Sequence, residues 1–443
     1  MIPVLLQNLI TNFVSLLDNI MVGQVGTEQM SGVAISNQLV FVFNLFLFGG
    51  VSGAGIFAAQ FFGKGDEEGV RQSVRMKLII GMIGLVLFVT AFWTIGGNLI
   101  TSFLHEGSEG LDLAVTYGSG LEYLRLMTIG MPPFALSFVY ASTLRESGET
   151  MLPMKASIAA VLVNLVGNYI LIFGKFGMPA MGVAGAAIAT VISRYAELAI
   201  LVIYSHRHKE RFGFFKGLYS SLHIERSLMG RMIRKGTPLL VNEILWAAGM
   251  AMLNQCYSLR GIEVVSATNI SSTVSNMFSC VVFSMGTTIN IIIGQHLGAG
   301  KMEEAVRDHK KITALSVCMC IVVGIVLIFV SPLLADIYNT TDNVKHMASS
   351  FMVVIGIYMP VSAYINACYF TLRSGGKTVI TFIFDSAFLW AGNILAAFIL
   401  TRATDLPILT IFIIVNSMDL IKCAIGFFMV RSRKWVVNLV KDE

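Results

Sequence analysis

Gln60-Phe-Phe-Gly63-Lys-Gly65 and Gln295-His-Leu-Gly298-Ala-Gly300 are one pattern written twice, 235 positions apart (295 − 60). Pro3 returns as Pro238 at the same shift. Further along each half, Met131-Pro132 precedes Thr143-Leu144-Arg145, and Met359-Pro360 precedes Thr371-Leu372-Arg373, a shift of 228 (360 − 132). A period of this length is too long for a solenoid. It says instead that the chain is two homologous halves.

Composition says what the halves are made of. Hydrophobic residues are 55%, charged residues 13%, and the mean hydropathy is +0.75, whereas an ordinary globular chain carries about 25% charge. Twelve apolar runs reach the roughly 20 residues that cross a bilayer: 2–23, 34–62, 76–103, 119–144, 152–173, 182–205, 237–258, 267–295, 312–334, 348–372, 379–401 and 407–430. The expected fold is an all-α membrane protein of twelve transmembrane helices in two homologous six-helix bundles. Six is even, so both bundles enter the membrane in the same direction, and a pseudo-two-fold along the membrane normal should relate them. Residues 1–205 form the first bundle, 206–236 a cytoplasmic linker, 237–430 the second bundle and 431–443 a cytoplasmic tail. Such a repeat in a hydrophobic chain implies a transporter, with its substrate path between the bundles.

Charge sets the orientation. With the N-terminus placed in the cytoplasm, inner segments hold 24 of the 31 basic residues and outer segments only Lys175, Arg260, Lys345 and Arg402. The asymmetry is the positive-inside pattern of a multi-pass protein of the plasma (inner) membrane with both termini cytoplasmic. The net charge of +5 therefore reflects topology, and no nucleic-acid partner is expected. All six cysteines fall in apolar runs, where a disulfide framework would not be. Neither a cleavable signal peptide nor a cofactor is expected. Because translation starts almost inside the first run, a short cytoplasmic lead is expected to be missing. The lipid bilayer and a small-molecule substrate are the expected partners, and the protein is expected to be a monomer. There is no GxxxxGK[ST] phosphate loop, no HExxH and no histidine deep in a span, so a membrane enzyme lacks a motif.

Ionisable groups in hydrocarbon are functional candidates by default. Asp18 leads, among Leu16, Leu17, Ile20 and Met21. It lies 15 residues from Pro3, roughly 22 Å by helical rise. Burial penalises a carboxylate's charged form, so this group is suited to taking up and releasing a cation; the alternative is a structural carboxylate bonded by Asn or Ser. Asn164 and Asn168 share one face of span five. With Thr190 of span six they could complete a proton or sodium site around Asp18, or simply bond between helices. Glu243 in span seven and Asp385 in span eleven are the second-half candidates. The spacings Glu122–Arg125, Arg194–Glu197 and Asp419–Lys422 suit neutralising pairs. Gln7, Asn12, Asn37 and Asn44 suggest a wet cavity. Met127 and Met285 would give it a permissive wall, although thioethers more often fill cores. Pro132, Pro133 and Pro360 should kink their helices. The longest outer loop of the first half, 102–118, carries His105, Glu106, Glu109 and Asp112 but no Lys or Arg.

The whole chain resembles the multidrug and toxic compound extrusion (MATE) family. The likeness rests on Pro3-Val-Leu-Leu-Gln-Asn8 running to Asp18-Asn-Ile-Met-Val-Gly23, on Gln60-Phe-Phe-Gly63, and on Leu144-Arg-Glu-Ser-Gly148-Glu-Thr150. It continues in Gly182-Val-Ala-Gly185 through Thr190, and in Leu372-Arg-Ser-Gly375-Gly-Lys-Thr378. That resemblance implies cation-driven export of amphipathic, often cationic drugs or metabolites through a V-shaped pair of bundles by alternating access. Asp18 then falls at the family's first-bundle coupling carboxylate, Asn164 on its span-five Asn and Glu243 on its span-seven acid. Two departures leave the coupling ion open between H+ and Na+. Asn168 stands where some relatives carry Asp, and Ser362-Ala-Tyr-Ile-Asn366 stands where some carry an Asp in span ten. A sodium ion, if used, would sit at Asp18; the missing fixed charges tilt the expectation to protons. The alternative is a lipid-linked oligosaccharide flippase of related architecture, which should show several cations in its spans for pyrophosphate; with Lys77 and Lys155 counted at the inner ends, the spans here hold only Arg125, Arg194 and Lys422.

Overall fold

The repeated motifs are helix ends. In the computed structural model, which describes residues 2–104, 112–338 and 340–441, helices α2 (Thr27–Lys64) and α9 (Ile262–Gly298) both stop at the hexapeptide. Gly65 and Gly300 take φ of +81° and +75°, the left-handed conformation that costs glycine least. The next N–H reaches back five residues, Asp66 to the Phe61 carbonyl at 3.0 Å and Lys301 to that of His296 at 2.9 Å. This satisfies carbonyls that the helix leaves unpaired. Helices α5 (Leu113–Glu146) and α11 (Asp342–Ser374) end the same way. Gly148 and Gly376 lie at φ +82° and +69°; Glu149 N–H donates to Leu144 and Lys377 N–H to Leu372.

The other helices are α1 (Ile2–Gly23), α3 (Glu67–Thr94), α4 (Gly96–Phe103), α6 (Met151–Phe173), α7 (Gly182–Arg207), α8 (Arg226–Ser258), α10 (Met302–Asp336), α12 (Thr378–Phe382), α13 (Leu395–Ala403) and α14 (Ile408–Arg431). Two π-helical segments, Ile383–Ala387 and Leu389–Ile394, carry α12 into α13 as one apolar span. Among the described residues eleven spans combine sufficient length and hydropathy to cross a membrane. Helix α1 is 22 residues, roughly 33 Å long, with a shorter apolar stretch over Ile2–Val14. The chain is a multi-pass membrane protein.

Several helices outrun their apolar runs, because polar ends extend past the hydrocarbon. The apolar run 76–103 is broken at Ile95, where φ −120° and ψ 2° separate α3 from α4. Helix α8 begins at Arg226, before its apolar run. Helices α5 and α11 continue through Pro132, Pro133 and Pro360. In the outer loop, Asp112 caps α5 through the N–H groups of Ala114 and Val115; His105, Glu106 and Glu109 lie outside the described residues. Among the described residues all six cysteines are free thiols.

Contacts divide the chain into two units. The first comprises Ile2–Ala58 and Glu67–Gly230. In it α2 and α5 touch backbone to backbone: a side-chain carbon on Gly32 would lie 2.4 Å from the Thr116 carbonyl, and Ser36 Oγ donates to the Gly120 carbonyl at 2.7 Å. Such proximity needs small residues. Lys77, fully buried, pairs with Glu146 and donates to Thr143 Oγ1 at 3.2 Å. Part of the polar stretch after α7 is held by two arginines of α3. Arg75 donates to the carbonyls of Gly217, Leu218 and His223, and Arg71 to those of Gly213 and Phe214.

The second unit comprises Ala59–Asp66 and Arg231–Glu443. Here the two hexapeptides meet reciprocally. A side-chain carbon on Gly63 would lie 2.0 Å from the Gln295 carbonyl oxygen, and one on Gly298 1.8 Å from that of Gln60. The tail packs against this seam. Gln60 donates to the Ser374 carbonyl at 2.9 Å and accepts from Leu439 N–H at 2.7 Å, and Trp435 is 1% exposed, its indole N–H donating to the Val430 carbonyl.

Candidate functional site

Asp18 stands near the end of α1, against α6. Asn168 Nδ2 donates to its Oδ1 at 2.6 Å. Asn164, one turn away on the same face of α6, reaches the carboxylate too. With its amide nitrogen toward Asp18 it donates to the two carboxylate oxygens at 2.8 and 3.0 Å, and its oxygen accepts from Thr190 Oγ1 of α7 at 3.1 Å. This orientation satisfies both ends of the amide. The expected grouping of Asp18, Asn164, Asn168 and Thr190 is therefore a contiguous cluster where α1, α6 and α7 meet. Asn164 and Asn168 are buried, and among the described residues the buried Asn168 Oδ1 has no hydrogen-bond partner. Carboxylate, amide and hydroxyl oxygens are the donors a hard monovalent cation takes. Among the described residues no three His, Cys, Asp or Glu converge as a metal centre.

One member of this cluster is not legible in the sequence. Tyr123 of α5 is 6% exposed, and its hydroxyl faces the side chains of Asn37 and Thr190. It thereby links the amide row of α2 to the Asp18 cluster. Tyr123 lies between the spaced pair Glu122 and Arg125, and nothing in its spacing marks it. The other polar residues of the first unit scatter. Gln7 accepts from Arg145 Nη1 at 3.4 Å, Asn12 is exposed on α1, and the buried Asn44 Oδ1 has no hydrogen-bond partner among the described residues. Met127 packs on a core cluster with Val22, Tyr123 and Val183. Arg194 pairs with Glu197 at 3.2 Å as the spacing predicts, and its guanidinium lies over the Phe134 ring at 4.9 Å. Arg125 lies over Trp93.

The second unit holds a longer polar chain. Tyr369 of α11 donates to Glu243 Oε1 of α8 at 3.4 Å. Asn242 Nδ2 reaches Tyr369 Oη at 3.3 Å and Asp385 Oδ2 at 3.1 Å, and Ser386 Oγ donates to Asn242 Oδ1 at 2.7 Å. Lys422 Nζ of α14 closes the chain on Asp385 Oδ1 at 2.7 Å. The spacing of Asp419 and Lys422 suggests that these two neutralise each other. Instead the ammonium leaves its own helix for Asp385, and Asp419 accepts from Asn393 at 3.2 Å. The reason is local. Asp385 and Asn393 stand on the two π segments, whose wider turns shift side chains off the α-helical register; π turns recur at functional sites. Glu243 and Asp385 thus belong to one network, in which Asp385 already has a cation. Met285, 1% exposed, is core.

Known proteins resemble this chain along most of its length. The family model MatE matches residues 3–170 and 238–399. The probable multidrug resistance protein NorM of Thermotoga maritima is 25% identical over 438 residues, covering 98% of this chain and 91% of that one. The probable multidrug resistance protein YoeA of Bacillus subtilis is 24% identical, covering 93% and 88%. A crystal structure of MATE in complex with MaL6 superposes with a TM-score of 0.86 at 18% identity over 98% of this chain and 94% of that one. An outward-facing multidrug resistance MATE family transporter of the MOP superfamily gives 0.85 at 18%, covering 98% and 95%. The structural matches show the fold.

Proposed function

The chain belongs to the MatE family, and from that premise we propose that it is a secondary antiporter. It exports amphipathic, cationic drugs or metabolites in exchange for protons or sodium by alternating access. The carrying observation is the Asp18 cluster: a carboxylate in a membrane span whose hydrogen bonds come from two asparagine amides. A carboxylate so placed is stabilised by hydrogen bonds when empty and can accept a cation when the gradient supplies one. Two amide nitrogens facing the carboxylate suit a site that exchanges a proton. A sodium ion would draw on amide oxygens instead, with Asn168 Oδ1 the nearest unused one.

Glu243, with Tyr369 and Asn242, is the corresponding group in the second unit. Asp385 is the weaker coupling candidate, because Lys422 supplies its counter-charge. A lipid-linked oligosaccharide flippase is not favoured. It would need free cations for a pyrophosphate, yet Arg194 and Lys422 are engaged by carboxylates and Arg125 stacks on Trp93. The two bundles are proposed to be related by a pseudo-two-fold along the membrane normal, with both termini cytoplasmic and the protein acting as a monomer. Proteoliposomes loaded with a fluorescent cationic dye test the function. Efflux on imposing an inward proton or sodium gradient is expected, and dye retention under both gradients would refute antiport.

A further inference from the structure

A cavity of about 860 Å³ lies within the second unit, and its lining shares no residue with the Glu243 network. Helix α10 contributes Val306, Lys310, Ala314, Val317 and Cys318, spaced at i, i+4, i+8, i+11 and i+12, which is one helical face. Phe427, Val430 and Arg431 of α14 form the facing wall, Tyr364 of α11 the back, and Arg433 and Trp435 of the tail one end. Ala314 and Cys318 are exposed, so the cavity opens on the outer face of α10, within its apolar run 312–334.

Its chemistry is divided along its length. Lys310, Arg431 and Arg433 gather where α14 ends. Cys318 is eight residues beyond Lys310, about 12 Å deeper by helical rise, and the wall there is apolar. Arg433 takes φ +54°, a left-handed conformation that costs a non-glycine residue about 1 kcal/mol or more. That turn folds the tail back so that Trp435 is buried and Arg433 reaches Glu303 at 3.0 Å. Glu303 is the one carboxylate bonded to these three cations among the described residues, leaving a net excess of two positive charges over an apolar trough.

From this division of charge and apolarity we infer that the cavity is a binding site for an anionic phospholipid. The phosphate sits among Lys310, Arg431 and Arg433, and an acyl chain lies along Ala314, Val317, Cys318 and Phe427. Paired cations with apolar surface beneath them match the head and tail of such a lipid. The same cations repel the cationic substrates proposed for the transport path, so the site is distinct from that path.

Native mass spectrometry of the full-length protein, released from detergent containing equimolar phosphatidylglycerol and phosphatidylcholine, tests the site. The wild type should retain phosphatidylglycerol preferentially. Lys310→Gln and Arg431→Gln should each lower that preference about fivefold, the contribution of one basic side chain near a membrane surface. Ala314→Trp should fill the trough and remove the retained lipid while leaving the cations in place. Lys301→Gln, outside the cavity, should leave retention unchanged. Equal retention of both lipids by the wild type would overturn the inference. So would Gln variants that match the wild type, or a Lys301→Gln variant that loses preference equally. A dimer that Ala314→Trp dissolves would mean that the face meets a second copy instead. Should either Gln variant be too unstable to measure, Lys310→Arg, which keeps charge, must retain the lipid.

Discussion

Lys422→Met isolates what the Lys422–Asp385 pair contributes. The ammonium and carboxylate are 2.7 Å apart, with side chains 10% and 20% exposed, so water screens the pair little. Removing Lys422 leaves the carboxylate with the Asn242 amide as its one hydrogen-bond partner among the described residues. Breaking a buried pair by deleting one member costs about 3–5 kcal/mol, whereas replacing both by apolar residues is often neutral or stabilising. Residual exposure puts the expectation near 3 kcal/mol. A unit of this size shifts its unfolding midpoint by roughly 2–4 °C per kcal/mol, so the purified variant should unfold about 6–12 °C below the wild type. Lys422→Met/Asp385→Leu should recover most of that loss. Midpoints followed by tryptophan fluorescence in detergent decide the matter. A single variant within about 1 °C of the wild type, or a double variant as unstable as the single, would refute the assignment of a buried pair. Gradient-driven dye efflux by the double variant then reads Asp385 separately: efflux retained means a structural partner, and efflux lost with the midpoint recovered means a coupling role.

Other outcomes follow from the same geometry. Gly298→Ala should destabilise by about 1–3 kcal/mol, the range for overpacking, since its new carbon would press on the Gln60 carbonyl; a midpoint equal to wild type would contradict that contact. Tyr123→Phe should slow efflux with a stability change of about 1 kcal/mol, one hydrogen bond's worth; unchanged efflux would mean that the hydroxyl only bridges helices. Glu243→Gln should impair efflux less than Asp18→Asn under one gradient, because Tyr369 continues to hold the neutral side chain; the reverse order would make the second unit the dominant coupling site.

The long apolar helices and the repeated helix ends were legible because they rest on properties that act along one chain: apolar length, and glycines that only a left-handed helix end requires. The hexapeptides could be matched as a repeat. That Gly63 and Gly298 meet each other's strands of backbone, with the tail laid against them, could not, since it depends on segments more than 200 residues apart. The Asp18 cluster was visible through the four-residue spacing of Asn164 and Asn168. Tyr123 was not, because a tyrosine among apolar residues looks like core until its hydroxyl finds Asn37 and Thr190. The pairing of Lys422 was misread for a related reason. Spacing names the neighbour on the same helix, and the π segments of the adjacent span brought Asp385 closer.

The central claim is that Asp18 couples cation entry to export. Asp18→Asn keeps the shape and an amide to bond Asn164 and Asn168, and it removes the charge whose burial is unfavourable, so the protein should fold with a midpoint near that of the wild type. The decisive measurement is dye efflux from proteoliposomes holding equal amounts of folded wild type and Asp18→Asn, under proton and sodium gradients imposed separately. Loss of gradient-driven efflux by the folded variant, with the wild type active under at least one gradient, is the predicted result; efflux by the variant at the wild-type rate under the same gradient would contradict the account.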